Sequence, residues 1–302
     1  MKISAVIPTY NSQSTIISCI ESLTRSEGPL HEVLVVDSGS DDDTMKLVGM
    51  VDDDRVRFIQ KHGSTTGANR NTGVDNTGSD HIVFLDSDCT ADPDLIKNYA
   101  KAFEHADVIA GNVKVANPGK VSNYAYMEQK LLVDDSLEDG LITGRFFWVM
   151  NFGITRQAFT RFPDMTDGED VVFINKLKKT GVSISYATDC IAYHHYPETL
   201  DEFLEKKVSH ARSFLKNRES FGPVSPESHY GRALEYEKIG LETLKDMIRS
   251  KDVCMECDHP CRFKTEYRDY PLIIQNINCM ASAIAGVLAR NPSYTEHKQN
   301  IL

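Results

Sequence analysis

Two aspartates separated by one residue, Asp86-Ser87-Asp88, follow the short apolar run of residues 82–85. An apolar run of this length, bounded by polar residues, is typical of a buried strand. Two carboxylates at a strand end can share a hard divalent cation such as Mn²⁺ or Mg²⁺, which prefers oxygen ligands. A cation held there would neutralise a diphosphate and make it a better leaving group. Acidic residues also commonly solvate a strand end, so the surrounding sequence must decide what this pair does.

Two other enzyme classes compete for the same motif. Residues 86–90 (DSDCT) resemble the D-x-D-x-T nucleophile loop of haloacid-dehalogenase-type phosphatases, in which the first aspartate attacks phosphate. That loop normally follows the first strand, whereas at least three candidate strands precede Asp86 here. A sugar nucleotidyltransferase usually carries a glycine-rich basic loop after its first strand, and residues 8–11 (PTYN) stand at that place instead. The sequence around the motif therefore argues against both of these classes.

The elements that must position these residues alternate between strand and helix in the first half of the chain. The alternation predicts βαβ units, and hence an α/β fold with a Rossmann-like, mainly parallel sheet flanked by helices. Ligands bind beyond the carboxyl ends of the strands in such sheets, so the polar segments that follow the strands should lie together. The predicted strands are residues 3–7, 32–36, 55–59, 81–85 and 107–110, the helices include 14–23 and 44–51, and the polar segments are 9–11, 37–43 and 86–88.

The second half of the chain has a different pattern. Gly222-Pro223 and Pro226 indicate a domain boundary, because these residues interrupt regular structure. We therefore expect a catalytic domain at residues 1–220 and a helical C-terminal extension at residues 221–302. Helical patterns occupy residues 118–143, 171–179 and 201–218, and strand patterns occupy 146–154, 182–186 and 190–193.

Five segments follow one another along the chain: residues 6–11 (VIPTYN), 35–42 (VVDSGSDD), 67–73 (GANRNTG), 84–88 (FLDSD) and 168–170 (GED). In order and spacing they resemble the family 2 glycosyltransferases over roughly residues 1–215. The resemblance implies a glycosyltransferase A fold and an inverting, nucleotide-sugar-dependent transfer to a hydroxyl acceptor. It also implies a nucleotide-binding half at residues 1–90 and an acceptor-side half at residues 91–220.

The resemblance assigns the nucleotide to the first three segments. Pro8 and Tyr10 would form a wall beside the base. Asp37 would accept a hydrogen bond from a base imide N–H, which favours a UDP-linked donor, although its position also suits a cap over the turn at residues 38–40. Arg70 would contact the nucleotide or diphosphate through its fixed guanidinium fork. A surface ion pair is the alternative for Arg70.

The resemblance assigns the cation to the fourth segment and to a later histidine. Asp86 would face the ribose or the metal, with Ser87 beside the donor, and Asp88 would coordinate the metal. His194 is the better positional match for a further metal ligand, and His195 is the alternative, because adjacent residues on a strand point to opposite faces. An imidazole ligand favours manganese over magnesium.

The acidic pair Glu169-Asp170 opens a predicted helix after Gly168. Carboxylates at a helix start often serve only to cap it. In the family, the aspartate matching Asp170 is the general base that deprotonates the acceptor hydroxyl. Trp148, with Phe146 and Phe147, could stack on an acceptor sugar or belong to the core.

A cysteine cluster lies beyond the part of the chain that resembles the family. Cys254, Cys257 and Cys261 follow a C-x₂-C-x₃-C spacing, and His259 or Cys279 could complete a tetrahedral zinc site. An iron–sulfur cluster, free thiols and disulfides are the alternatives. Such a zinc ion would be structural.

Charge and composition limit the partners. The formal net charge of −11 argues against sequence-independent nucleic acid binding. Scattered cysteines and the lack of a signal-peptide pattern or an apolar span predict a cytoplasmic protein. The basic residues of the helix at 201–218 could rest on the inner face of a membrane and present a lipid-linked acceptor instead of a soluble saccharide. A helix of this kind more often packs on the core and exposes its polar face to solvent. Nothing in the sequence fixes the oligomeric state.

Overall fold

A computed structural model describes residues 1–134, 137–143, 147–199, 202, 203 and 206. Contacts between residues divide the chain into two compact units, Met1–Glu198 and Thr199–Leu302, and nearly all of the second unit lies outside the described residues. The predicted boundary at residue 220, the helix at 201–218 beyond its first residues, and the cysteine cluster also lie outside them, so these remain predictions.

The first unit contains one mixed sheet flanked by helices. Within the described residues the strand order is β3-β2-β1-β4-β9-β6-β10-β8-β7, with β5 paired to β10. The strands are β1 (Ile3–Thr9), β2 (Leu30–Asp37), β3 (Val56–Gln60), β4 (His81–Leu85), β5 (Cys89–Ala91), β6 (Val108–Val115), β7 (Leu137–Glu138), β8 (Leu141–Ile142), β9 (Asn151–Thr155) and β10 (Ser185–His194). The helices are α1 (Ile16–Thr24), α2 (Thr44–Val48), α3 (Thr66–Asn76), α4 (Leu95–Ala102), α5 (Lys120–Asp134) and α6 (Glu169–Lys179).

The longest ladders of this sheet are parallel, which confirms the predicted fold class. β1 pairs in parallel with β2 and β4, β2 with β3, and β6 with β10. Every residue of β1 is buried, as expected for a strand covered by helices on both faces. Fully burying an isoleucine such as Ile7 contributes about 1.5–3 kcal/mol, so this central strand anchors the loops at its carboxyl end.

Glycines allow α3 to lie close against β1. A Cβ atom built at Gly73 would come within 2.2 Å of Val6 Cγ1, so only glycine permits this approach without displacement. The helix begins at Thr66 because the Thr65 side chain accepts a hydrogen bond from the backbone N–H of Ala68.

The predicted strand at residues 146–154 was wrong in its start, because β9 begins at Asn151. The buried Asn151 amide donates to the carbonyl oxygens of Asn112 and Cys190, and its oxygen accepts from the Tyr99 hydroxyl. These bonds satisfy backbone groups at the bulge in β10 between Ala187 and Ile191. The two short strands predicted at 182–186 and 190–193 are replaced by the single strand β10, which begins at Ser185 and contains the bulge.

Other elements also differ from the predictions. The helical pattern at residues 118–143 is confirmed only for α5 (Lys120–Asp134), and the short strands β7 and β8 follow it. The helix predicted at 44–51 ends at Val48. The three-residue strand β5 was not predicted, because it is too short to show a period.

Candidate active site

The loops that follow β1 and β2 are joined by hydrogen bonds at the carboxyl edge of the sheet. The backbone N–H of Asn11 donates to Ser40 Oγ over 2.8 Å, and the N–H of Asp41 donates to Asn11 Oδ1 over 3.0 Å. Asn11 adopts a left-handed backbone with φ 48°, which asparagine tolerates better than most residues. Pro8 is buried at the end of β1, and Tyr10 is 59% exposed beside it. The exposed Tyr10 ring is therefore accessible to a ligand, and its predicted contact with a nucleotide base stays a prediction.

The fully buried side chain of Asp37 accepts hydrogen bonds from the loop that follows it. Its Oδ2 accepts hydrogen bonds from the N–H groups of Gly39 and Ser40, each over 2.9 Å, and from Gln60 Nε2 over 3.0 Å. Its Oδ1 accepts a bond from the Ser40 hydroxyl. The expected contact with a nucleobase stays a prediction, and it would require this loop to open around Oδ1.

The guanidinium of Arg70 lies on α3 and is only 2% exposed. Its Nη2 donates to Asp86 Oδ1 over 2.6 Å, and its Nη1 donates to Glu169 Oε1. Burial alone would lower the pKa of Arg70, but the carboxylates of Asp86 and Glu169 raise it above its usual value. The Phe162 ring lies 5.4 Å from Cζ of Arg70. Arg70 therefore joins the D-x-D segment to the acidic pair at the start of α6.

The segment at residues 162–166 is bonded to α3. Asn71 donates to the carbonyl of Phe162 over 3.1 Å and accepts from its N–H over 3.0 Å. The N–H of Gly67 donates to the carbonyl of Met165 over 3.1 Å. A Cβ atom at Gly67 would lie 2.1 Å from the carbonyl oxygen of Pro163, so glycine is required for this contact. These contacts fix Arg70 relative to the start of α6.

The segment Asp86-Ser87-Asp88 directly follows β4, as predicted. The Asp86 N–H donates to the carbonyl of Met150 over 3.1 Å, and the hydroxyl of Ser87 lies 2.8 Å from that of Ser12. Ser87 therefore connects this segment to the loop after β1.

The side chain of Asp88 meets His194 at the end of β10. Asp88 Oδ2 lies 3.1 Å from His194 Nε2, while Asp88 is 36% exposed and His194 is buried. His195 lies beyond the strand, and its backbone N–H donates to the carbonyl of Asp88 over 2.9 Å. Of the two histidines, His194 is thus the one whose ring meets the D-x-D segment.

The acidic pair at the start of α6 is placed by Gly168, which caps the helix in a left-handed conformation at φ 81°. Burial and the neighbouring Glu169 carboxylate raise the pKa of Asp170 to about 7, and the bond from the Val171 N–H and the charge of Arg70 oppose the shift. A carboxyl group poised near neutral pH suits a general base.

Several buried polar atoms around these residues have no hydrogen-bond partner within the part of the chain that the structure describes. Such atoms are rare in proteins, and a bound ligand, ion or water commonly explains them. Around the site they are Thr9 Oγ1, Arg70 Nε, Glu169 Oε2 and His194 Nδ1. The carboxylate of Asp88 and the imidazole of His194, which are in contact, are ligand types that a divalent cation such as Mn²⁺ accepts.

Some residues singled out in the sequence contribute differently. Trp148 is 6% exposed and stacks on the buried Phe147, with ring centroids 5.8 Å apart, so both belong to the core. Phe146 and the cysteines at 254, 257, 261 and 279 lie outside the described residues. Among the described helices, none is long and apolar enough to cross a membrane.

Sequence reasoning missed two partners in this site. Glu169 was recognised only as a neighbour of Asp170, but its carboxylate pairs with Arg70 across 99 residues of sequence. Cys89 lies in a cluster with Asp88 and His194, in which one potential ligand atom of each residue lies within 4.8 Å of the others. The adjacency of Cys89 to Asp88 was the only sequence signal for that cluster.

Solved structures of low sequence identity share this fold. Staphylococcus aureus TarS 1–349 in complex with UDP-GlcNAc matches with a TM-score of 0.55 and 17% identity, covering 98% of this chain and 92% of that one. The mannosyltransferase PcManGT from Pyrobaculum calidifontis, in complex with GDP-Man and Mn²⁺, matches with a TM-score of 0.60 and 14% identity, covering 96% and 88%. These matches confirm the glycosyltransferase A fold.

Curated relatives are similar in sequence over part of the chain. The O-antigen chain rhamnosyltransferase RfbN of Salmonella typhimurium is 27% identical over 231 residues, or 70% of this chain and 74% of its own. The succinoglycan biosynthesis protein ExoO of Rhizobium meliloti is 38% identical over 118 residues, or 39% of this chain. The match spans only 33% of ExoO, and an uncharacterised Rickettsia felis glycosyltransferase is matched over 23% of its length.

The sequence model described as glycosyl transferase family 2 matches residues 4–168. This range contains β1, β2 and β4 with their polar loops, and it ends at the residue that caps α6. The ordered motifs and the fold agree with this match, and the chain belongs to glycosyl transferase family 2.

Proposed function

We propose that this chain transfers a sugar from a nucleoside-diphosphate sugar to a hydroxyl acceptor with inversion at the anomeric carbon. The observation that supports this most strongly is the Arg70 bridge between Asp86 and Glu169. It joins the D-x-D segment, which is suited to a metal-bound diphosphate, to Glu169. Glu169 directly precedes Asp170, whose carboxyl group is suited to proton transfer. One side of the site would hold the donor and the other would activate the acceptor.

The donor side needs a cation because it is rich in carboxylates. Asp88 and His194 would hold the ion, with Asp86 as a further candidate, and Arg70 is already paired within the protein. A bound divalent ion would neutralise the diphosphate and improve it as a leaving group. A direct contact between Arg70 and the diphosphate could use Nε, the guanidinium nitrogen that lacks a partner within the described structure.

On the acceptor side, Asp170 would remove the proton from the acceptor hydroxyl. Its raised pKa leaves it basic enough to accept a proton near pH 7 and ionised enough to do so. The oxygen would then attack the anomeric carbon from the face opposite the leaving diphosphate, which inverts the configuration.

The nature of the donor is supported by the related structures. TarS binds UDP-GlcNAc and PcManGT binds GDP-Man, so a nucleoside diphosphate is common to both while the base and sugar differ. We propose a uridine donor on the strength of Asp37 alone. The names of RfbN and of TarS, a poly(ribitol-phosphate) β-N-acetylglucosaminyltransferase, favour a growing glycan or polyol chain as the acceptor.

The alternatives are less well supported. A phosphatase nucleophile at Asp86 would be weakened by its ion pair with Arg70, and Asp86 follows the fourth strand rather than the first. The loop after β1 lacks the glycine-rich basic sequence of a nucleotidyltransferase.

The test is Asp170→Asn, which keeps the shape of the side chain and removes its basicity. We expect turnover to fall by about 10²–10⁴-fold, because general base catalysis contributes on that order. Release of nucleotide from UDP-glucose, UDP-GlcNAc and GDP-mannose, with water as the acceptor, measures turnover, and titration calorimetry with UDP and Mn²⁺ measures binding. An equal loss of UDP affinity would assign Asp170 a structural role instead.

A further inference from the structure

The short strand β5 places a thiol beside the metal-binding pair. β5 runs antiparallel to β10, and Cys89 is directly opposite His194 in the register. Residues directly opposite in an antiparallel pair share one face of the sheet, with Cβ atoms about 4.5–5.5 Å apart. Asp88 precedes Cys89, and its carboxylate already contacts the imidazole of His194. A carboxylate, a thiol and an imidazole therefore converge through strand pairing.

The thiol has no role in the proposed transfer. Mn²⁺ and Mg²⁺ are hard ions that take oxygen and, for Mn²⁺, nitrogen ligands, whereas a thiolate selects softer ions such as Zn²⁺. Cys89 is 0% exposed and His194 is 2% exposed, so the partly exposed Asp88 is the route from solvent into the cluster. In addition, His194 Nδ1 is buried without a hydrogen-bond partner within the described structure.

We propose that Asp88, Cys89 and His194 form a three-ligand site for a thiophilic divalent ion of the zinc class. Zinc bound there would exclude the Mn²⁺ or Mg²⁺ ion of the proposed transfer, because both ions need Asp88 and His194. The competition between the two ions rests on the proposed function, whereas the zinc site does not. Zinc would thus inhibit donor binding by occupying the ligands of the catalytic ion.

The geometry needs only a small contraction. One potential ligand atom of each residue lies within 4.8 Å of the others. Tetrahedral zinc, with bonds of about 2.0–2.3 Å, places its ligand atoms roughly 3.3–3.8 Å apart. Closing by about 1 Å is within reach of side-chain rotation, and Cys89 would release its thiol proton to solvent on binding. The affinity of N, O and S sites for divalent ions rises from Mn²⁺ to Zn²⁺, so zinc would compete effectively.

The other described cysteines lack this setting. Cys19 donates its S–H to the carbonyl of Asp86 over 3.5 Å, and Cys190 lies four residues before His194 on β10. Among the described residues, neither belongs to the cluster of potential metal ligands. Cys190 thus provides a matched control, as a buried cysteine on the strand that also carries His194.

The experiment is titration of the nucleotide-free, 302-residue chain with Co²⁺, whose thiolate charge-transfer band reports a bound cysteine. The starting protein carries Cys254→Ser, Cys257→Ser, Cys261→Ser and Cys279→Ser, so that these thiols add no signal. We expect a band that Cys89→Ser abolishes and Cys190→Ser retains. Calorimetry should show Zn²⁺ affinity reduced at least about tenfold by Cys89→Ser. A band unchanged by Cys89→Ser, or no band in folded protein, would overturn the proposal.

A second measurement uses the unmodified chain, should the four serines prevent folding. Mn²⁺ bound in the presence of UDP is followed by electron paramagnetic resonance while Zn²⁺ is added. Zn²⁺ should displace Mn²⁺ at a concentration that rises at least about tenfold in Cys89→Ser. Equal displacement in both proteins would reject the role of Cys89 and leave the proposed function intact. A Cys89-dependent cobalt band without any binding of Mn²⁺ and UDP would support this site and reject the proposed function.

Discussion

Arg70 is a buried cation that contacts two carboxylates. It pairs with Asp86 and Glu169, and its charge also opposes the rise in the pKa of Asp170. Removing one partner from a buried ion pair is costly because the remaining charge loses its compensation. Arg70 therefore affects both the stability of the site and the protonation of the proposed base.

Arg70→Met should destabilise the protein by about 3–5 kcal/mol, since it leaves Glu169 buried without its partner. The free energy of unfolding, measured by urea denaturation, tests this. Arg161→Met is the matched control, because Arg161 pairs with Asp75 at the surface and should cost only about 0–1 kcal/mol. Similar losses of unfolding free energy in the two variants would mean that the buried ion pairs stabilise the protein no more than the exposed one.

The raised pKa of Asp170 predicts an acidic limb near pH 7 in the pH profile of kcat/KM. The base must be ionised, so kcat/KM should fall about tenfold per pH unit below the pKa and level off above it. Glu169→Gln removes the neighbouring negative charge and should move the limb to lower pH, whereas the exposed Glu104→Gln should not. A limb that stays in place in Glu169→Gln would argue against this electrostatic coupling.

The sequence predicts which residues form the candidate site, and that assignment stays a prediction, but it does not indicate which side chains pair within the site. Asp86, Asp88, Asp170 and His194 lie in motifs whose order and spacing are visible along the chain. The bond between Arg70 and Glu169 depends on the folding of α3 against the segment before α6, and no local pattern encodes it.

At the scale of elements, α3 and the segment at residues 162–166 act as a unit. Asn71 donates to the carbonyl of Phe162 and accepts from its N–H, and Gly67 lets the backbone of α3 approach that of residues 162–166. Because Arg70 lies on this helix and Glu169 follows the segment, a shift between them would break the ion bridge.

Gly67→Ala should reduce donor turnover and destabilise the protein by about 1–3 kcal/mol. Alanine improves helix propensity by about 1 kcal/mol, but its Cβ would lie 2.1 Å from a backbone oxygen that cannot rotate away. Thermal unfolding and nucleotide release measure the two effects. Gly78→Ala is the control, because a Cβ atom there meets nothing within 4 Å. If Gly67→Ala behaves like the control, the close approach is not essential.

The parallel strands were predicted well because each is a buried apolar run followed by polar residues. β1, β2 and β4 match the predicted strands to within two residues at either end. The short strand β5 and the bulge of β10 were missed because long-range pairing, and the buried amide of Asn151, decide them. Local sequence carries little information about such contacts.

At the scale of the whole molecule, a negatively charged protein would have to bind the negatively charged donor that we propose. The formal net charge is −11, and Asp86, Asp88, Glu169 and Asp170 add carboxylates at the site itself against one paired arginine. A divalent cation bound at the site can reverse the negative electrostatic potential there, although the protein as a whole stays negatively charged. Binding of the donor should therefore depend on the metal.

The most direct test measures the thermal stability of the protein with UDP or GDP, in Mn²⁺ and then in EDTA. A ligand at a hundredfold excess over its dissociation constant stabilises the fold by about 2.7 kcal/mol, so binding should raise the melting temperature clearly. We predict stabilisation that requires Mn²⁺, is lost in Asp88→Asn, and is retained in Asp189→Asn, an exposed control on β10. If neither nucleotide stabilises the protein in a metal-dependent way, the proposed donor site is wrong.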